Sequence, residues 1–575
     1  MKLYYKSAQR EILVGTFFSY FCVSNSANTT AMKVKSFVCI LLMSISPLAF
    51  AQDFTARDSL RGGLAFERTT YDVLKYELDL YVFPDKKMIS GANTITFKVV
   101  EDTDKIQIDL FENMVIDGVS SREFDKIETT RKHDAVYLHF PKVLTKDSIH
   151  SIRFSYYGNP TVAENAPWDG GFVWSKDSNA KDFVGVAVQG TGASLWYPCK
   201  DSQSDEPDWG AIITLNIPDG LVGVSNGRLL SSKKTENNFT AWTWEVKNPI
   251  NSYNITLNIG DYVHFADKLA ALDIDYYVLR ENQAKAKIHF EADVKPMLSC
   301  FQEKFGAYPF IEDGYKLVET PFLGMEHQSA VAYGNRYKKG YLGNDLSGSG
   351  VGLLFDFIII HETGHEWFGN SITSKDIADM WIHEGFTTYS ESVFVECQYG
   401  YQKAMQYING QRSLVQNQKP LVGQFGVNIK PSNSDVYYKA ALMLNTLRHS
   451  INDDQKWWKL LLDYSNHFKH QIIVADDVID FFEQESQLPL RPIFEQYIYH
   501  KELPLLEVVV FKDGFQYAWI ADVADFEMPV ELVLDDEIIR LHPKKEIQFY
   551  KASINPSTKL RVVTEKFFIQ VKFKS

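Results

Sequence analysis

His361, Glu362 and His365 stand in the order His-Glu-x-x-His within the stretch HETGHEWFGN. A four-residue separation in a helix sets the two imidazoles on one face, about one turn apart, where both reach a single metal ion. Glu362 lies beside that face, placed to take a proton from a water molecule there. Two histidines do not complete a catalytic zinc site, which uses three protein ligands and keeps one position open. Glu384 supplies the third ligand: it follows His365 by nineteen residues, in DMWIHEGFTTYSES, a second segment of helical character. The connecting stretch EWFGNSITSKDIADM carries Gly, Asn and Ser where the chain must reverse direction. The chemistry that this cluster supports is metal-assisted hydrolysis, with one Zn2+ per chain.

Those residues need helices, and the surrounding sequence supplies them. The motif follows the apolar run LLFDFIII, and from Gly350 to about Phe494 helical spacing dominates, as in KAALMLNTLRHS and QKWWKLLLDYSNHF. Upstream, from about Phe54 to Tyr262, short alternating segments such as YELDLYVF and YNITLNIGDY read as strands. Past KELPLLEV the pattern returns to strands, enough for a small sandwich. The expected fold class is multidomain α+β: a leader over 1–51, an N-terminal antiparallel β domain over 52–262, a mainly helical catalytic domain with a small sheet over 263–500, and a C-terminal β-sandwich over 501–575.

A chain of 575 residues is too long for one core. Its net charge of -14 and lack of a basic block argue against nucleic acid as a partner. From Met32 the sequence MKVKSFVCILLMSISPLAFAQ has two lysines, an apolar stretch and Ala49-Phe50-Ala51 before Gln52, the pattern of a cleaved secretory signal over 32–51. On this reading Met32 is the translation start and the mature protein is exported, periplasmic or secreted, without a membrane span. An uncleaved N-terminal anchor is the rival, weakened by the shortness of the apolar run. Cleavage leaves Cys199, Cys300 and Cys397, an odd number that argues against a disulfide framework and names no pair.

His361-Glu362-Thr363-Gly364-His365, then Glu384, with WFGN at 367–370 and EGFTTY at 384–389, resembles the zinc signature of the gluzincin aminopeptidases, peptidase family M1, the group of aminopeptidase N and leukotriene hydrolase. The resemblance implies a thermolysin-like catalytic domain. It also implies that LGMEHQS occupies the place of the family's Gly-x-Met-Glu-Asn motif, with Glu326 holding the free amine of the substrate and Gly324 and Met325 beside it. An α-amino group is largely protonated at neutral pH, so a fixed carboxylate can recognise it by charge. Two departures stand out: Leu323 where the family has Gly, and His327 where it has Asn. Gln189, in QGTGASLWYPCKD, falls where the family places a Gln or Glu beside the amine. Tyr437, in DVYYKAALML, falls where it places a tyrosine whose hydroxyl steadies the oxyanion.

The expected partners are peptides with a free N-terminus. The resemblance leaves two hydrolytic alternatives on the same fold, a zinc endopeptidase and a small-molecule epoxide hydrolase. A catalytically inactive secreted binding protein is the alternative of another class. Retention of Glu362 and Tyr437 together weighs against it, since binding alone needs neither.

Overall fold

The computed structural model describes residues 54–429 and 434–574; the segment read as a leader lies outside them. The N-terminal part is built of strands whose side chains alternate between core and solvent, as in Tyr71–Phe83. This strand pairs antiparallel with Met88–Val99 on one side and parallel with Ala211–Pro218 on the other. The seven-stranded sheet around it is therefore mixed, which corrects the expectation of a purely antiparallel domain. Periodicity reports which face a strand buries and says nothing of its neighbour's direction. A four-stranded sheet next in the chain includes Gly171–Lys176 and Asp182–Ala187, and the latter leads directly to Gln189.

A five-stranded sheet follows, in the order Tyr262–Leu269, Leu272–Leu279, Tyr315–Glu319, Val331–Tyr333 and Gly324–Met325. The two-residue strand Gly324–Met325 forms its edge, antiparallel to Val331–Tyr333. Helices pack beside it: α1 (Gln283–Phe305), α2 (Phe357–Gly364), α3 (Trp381–Tyr399) and α4 (Asp435–Ile451). Their apolar faces join one large core that includes Phe301, Ile359, Trp367, Phe386 and Leu444. Cys300 on α1 and Cys397 on α3 form a disulfide, which the sequence permitted but could not name; Cys199 is free and buried. Beyond Leu505 a four-stranded and a three-stranded sheet form the C-terminal part. No helix among the described residues is long and apolar enough to cross a membrane.

Candidate active site

Helix α2 starts at a strong cap. Asp356 precedes it and its carboxylate accepts from the backbone N–H groups of Ile358 and Ile359, at 3.0 and 3.4 Å. The same side chain accepts from the Tyr333 hydroxyl (2.8 Å) and the Asn335 amide (2.7 Å), tying the helix start to the sheet. Ile358, Ile359 and Ile360 are buried, which fixes the rotation of the helix and turns His361 and Glu362 towards a cavity. Two glycines then let three helices close on one another. A Cβ at Gly364 would lie 2.5 Å from the Ser390 hydroxyl of α3, and one at Gly385 would lie 2.5 Å from the Ala440 Cβ of α4. Through these approaches Glu384 reaches the histidines and Tyr437 reaches Glu384.

The imidazole Nε2 atoms of His361 and His365 lie 3.6 and 3.3 Å from the Glu384 carboxylate. These three ligand atoms are within 4.8 Å of one another, and all three residues are buried. The other ring nitrogens are already engaged: His361 Nδ1 meets Glu391 at 2.7 Å and His365 Nδ1 meets the Phe368 carbonyl at 2.9 Å. Both partners only accept, so each Nδ1 carries a proton and each Nε2 is left facing the centre, where a metal ion would take the place of its proton. Burial disfavours a charged His361 ring, but Glu384 and Glu391 outweigh it and hold its pKa well above the ordinary value. The cluster thus attracts positive charge, and one Glu384 oxygen is buried with no hydrogen-bond partner. Two imidazole nitrogens and a carboxylate converging in this way fit a zinc ion.

Glu362 stands one residue along α2 and lines the same cavity of about 660 Å³. Burial, with the charge of Glu326 adding to it, pushes its carboxyl up to about 7. The Tyr437 hydroxyl donates to Glu384 at 3.0 Å, and its ring stacks on His361 with centroids 6.0 Å apart. Burial and the neighbouring Glu384 hold the phenol pKa well above its usual value, so the hydroxyl keeps its proton. Glu326 is also buried, just beyond the edge strand, and its carboxylate accepts from the Gln189 amide at 2.5 Å. The same amide reaches Glu384 at 3.2 Å. Carboxylate oxygens of Glu326 and Glu362 and a nitrogen of His365 also fall within 4.8 Å of one another.

The two departures from the Gly-x-Met-Glu-Asn pattern face away from this cavity. Gly324 and Met325 line it, whereas Leu323 borders a separate cavity beside Phe322. At Gly324 an added Cβ would sit 2.8 Å from the Glu362 carboxylate, so this is the position where strand and helix press together. His327 is buried, and neither ring nitrogen has a hydrogen-bond partner. Burial lowers its pKa to about 3, leaving the ring neutral.

Two positioning groups, Glu391 and Asn370, are not singled out by the sequence. Glu391 lies seven residues after Glu384, two helical turns along the same face of α3, and that spacing was a usable signal. Asn370, the last residue of WFGN, donates to the Glu326 carbonyl at 2.8 Å and ties the end of the metal motif to the loop that carries Glu326. Asp379 accepts from the Ala475 backbone at 3.1 Å, at the start of a later helix. His383 accepts from the Ser374 backbone at 2.7 Å, a structural bond.

Residues 72–254 match the model of the peptidase M1 N-terminal domain, and residues 291–497 match that of the peptidase family M1 domain. Human aminopeptidase B is 27% identical over 321 residues, covering 52% of this chain and 46% of that protein. Aminopeptidase N of Lactobacillus helveticus is 23% identical over 474 residues, covering 77% of this chain and 53% of that protein. The chain thus spans about half the length of these relatives. Among solved structures, an M1 zinc metallopeptidase from Deinococcus radiodurans, a mutant bound to a Tyr-Ser-Ala substrate, superposes with a TM-score of 0.61 at 18% identity. That match covers 76% of this chain and 95% of the other, and it establishes a shared fold.

Proposed function

The chain belongs to peptidase family M1, and from that premise we propose that it is a zinc-dependent aminopeptidase, which removes residues from the free N-terminus of peptides. The observation that carries this reading is the hydrogen bond from Gln189 to Glu326, made within reach of the metal cluster. In a peptide the amine nitrogen and the carbonyl carbon of the first residue are only ~2.5 Å apart, from standard backbone dimensions. An amine held between Glu326 and Gln189 therefore brings the first carbonyl, and no later one, to His361, His365 and Glu384.

In this reading His361, His365 and Glu384 hold the zinc. The ion would supply Lewis-acid chemistry, polarising the scissile carbonyl and acidifying a water molecule. Glu362 takes the proton of the attacking water and passes it to the leaving amine, a task suited to a carboxyl whose pKa lies near neutrality. The Tyr437 hydroxyl donates to the oxyanion as the carbonyl becomes tetrahedral. Glu391 and the Phe368 carbonyl keep the two imidazoles turned inward. An endopeptidase has no need of an amine clamp, and an inactive binding protein has no need of Glu362 and Tyr437 together.

The Cys300–Cys397 disulfide supports the export reading, since such bonds persist in oxidising compartments. The test of the activity is hydrolysis of L-leucine 4-nitroanilide. Turnover abolished by 1,10-phenanthroline and restored by zinc supports the proposal; no turnover of any aminoacyl nitroanilide by zinc-loaded protein contradicts it.

A further inference from the structure

Trp168 is half exposed, at 51%, yet it lines the catalytic cavity, where Pro167 and Met325 are its fellow residues. Its loop is firmly built. The Asp169 carboxylate accepts from the backbone N–H groups of Glu164 and Asn165 at 2.6 and 2.7 Å, and the Trp168 N–H donates to the Asn165 carbonyl at 3.0 Å. The loop is also tied to the amine end of the cavity: the Thr191 hydroxyl, two residues past Gln189, donates to the Asp169 carbonyl at 3.0 Å. An indole is thus presented from a fixed loop to the cavity that also holds the residues assigned to the first substrate residue.

The charges in the cavity narrow what that indole can meet. Four carboxylates line it, and each has a partner or a task. Glu384 faces the two imidazoles, Glu326 accepts from Gln189, and Glu362 stands at the scissile bond. Glu391 is occupied by His361, by the Tyr407 hydroxyl at 2.7 Å and by the Gln411 amide at 3.1 Å. Among the described lining residues no carboxylate is left over for a basic side chain, while Trp168, Met325 and Phe357 offer apolar surface.

We infer that Trp168 is a specificity-determining residue, the wall against which the side chain of the first substrate residue packs, selecting large apolar residues. The inference rests on the aminopeptidase reading. Aromatic faces give such contacts a large buried area and an added geometric preference.

The experiment compares wild type, Trp168→Ala and Trp168→Phe, all zinc-loaded, on the nitroanilides of Phe, Leu, Ala and Arg. Trp168→Ala should lower kcat/KM for Phe and Leu by about tenfold or more, mostly through KM, and for Ala by less than about threefold, the range over which apolar pockets discriminate. Trp168→Phe should retain most of the preference. An equal loss on all four substrates, no loss on Phe and Leu, or a loss greatest on Arg overturns the inference. Calorimetric binding of L-phenylalaninamide and L-alaninamide reads the same wall without turnover. If wild type hydrolyses nothing, the aminopeptidase reading falls. Trp168 is then decided by whether the preference for phenylalaninamide disappears in Trp168→Ala, which supports its role, or persists, which overturns it.

Discussion

His361, His365 and Glu384, proposed to hold the zinc, fall between positions 361 and 384, on helix α2, the residue that caps its end, and helix α3, whereas Gln189 and Glu326, proposed to clamp the amine, lie 137 positions apart and follow strands of different sheets. The first group is placed by helical geometry and by two close helix approaches, at Gly364 and Gly385. The second is placed by the docking of the β-rich part against the edge of the catalytic sheet. Chemistry can therefore reside in local sequence while the choice of which bond to cut depends on long-range assembly, and substitutions at the two ends should fail differently.

The largest effect is expected at the metal end. Glu362→Gln keeps the shape and removes the proposed base, so kcat should fall on the order of 10³-fold with zinc content unchanged, as found for positioned acid–base groups. Zinc analysis beside steady-state kinetics checks both halves of that statement. At the amine end, Glu326→Ala should lower kcat/KM by about 100-fold, in line with a lost charge-assisted hydrogen bond of about 2–3 kcal/mol. Because the clamp also selects, the same variant should lose most of its discrimination against N-blocked substrates.

Glu391→Gln sharpens the comparison, because Glu391 meets His361 at its outward nitrogen alone, while its other oxygen accepts from Tyr407 and Gln411. Zinc affinity should weaken by about 10- to 100-fold, the usual cost of losing such a support. Competition with a chromogenic chelator measures it, and activity at saturating zinc should recover largely.

The smallest effect concerns His327, buried next to Glu326 and outside the cavity lining. Its folded pKa of about 3 lies below the ordinary histidine value, so the unfolded chain binds the proton first as pH falls. The stability that comes from keeping this ring neutral is complete above about pH 6.5 and is lost progressively towards pH 3. Denaturant melts of wild type and His327→Asn should therefore diverge in slope with pH, by about 1 kcal/mol per pH unit between pH 6 and 4.

The same contrast explains what the sequence made legible. The helix-period pattern, the His-Glu-x-x-His spacing and a third ligand after a polar reversal place His361, His365 and Glu384 without reference to anything distant. Glu326 and Gln189 carry no local signature of their own and were reached through resemblance to a family. Glu391 was within reach, since its seven-residue spacing from Glu384 marks a shared helix face. The parallel pairing of Tyr71–Phe83 with Ala211–Pro218 was not, because alternation in one strand is blind to its neighbour's direction. The Cys300–Cys397 bond likewise depends on how α1 lies across α3.

The most direct test of the account is a time course on one peptide in two forms, with a free amine and with an N-acetyl cap, followed by mass spectrometry with zinc-loaded protein. Stepwise loss of residues from the free N-terminus is expected, with no measurable cleavage of the capped form. Internal cleavage of both forms at equal rates would contradict it.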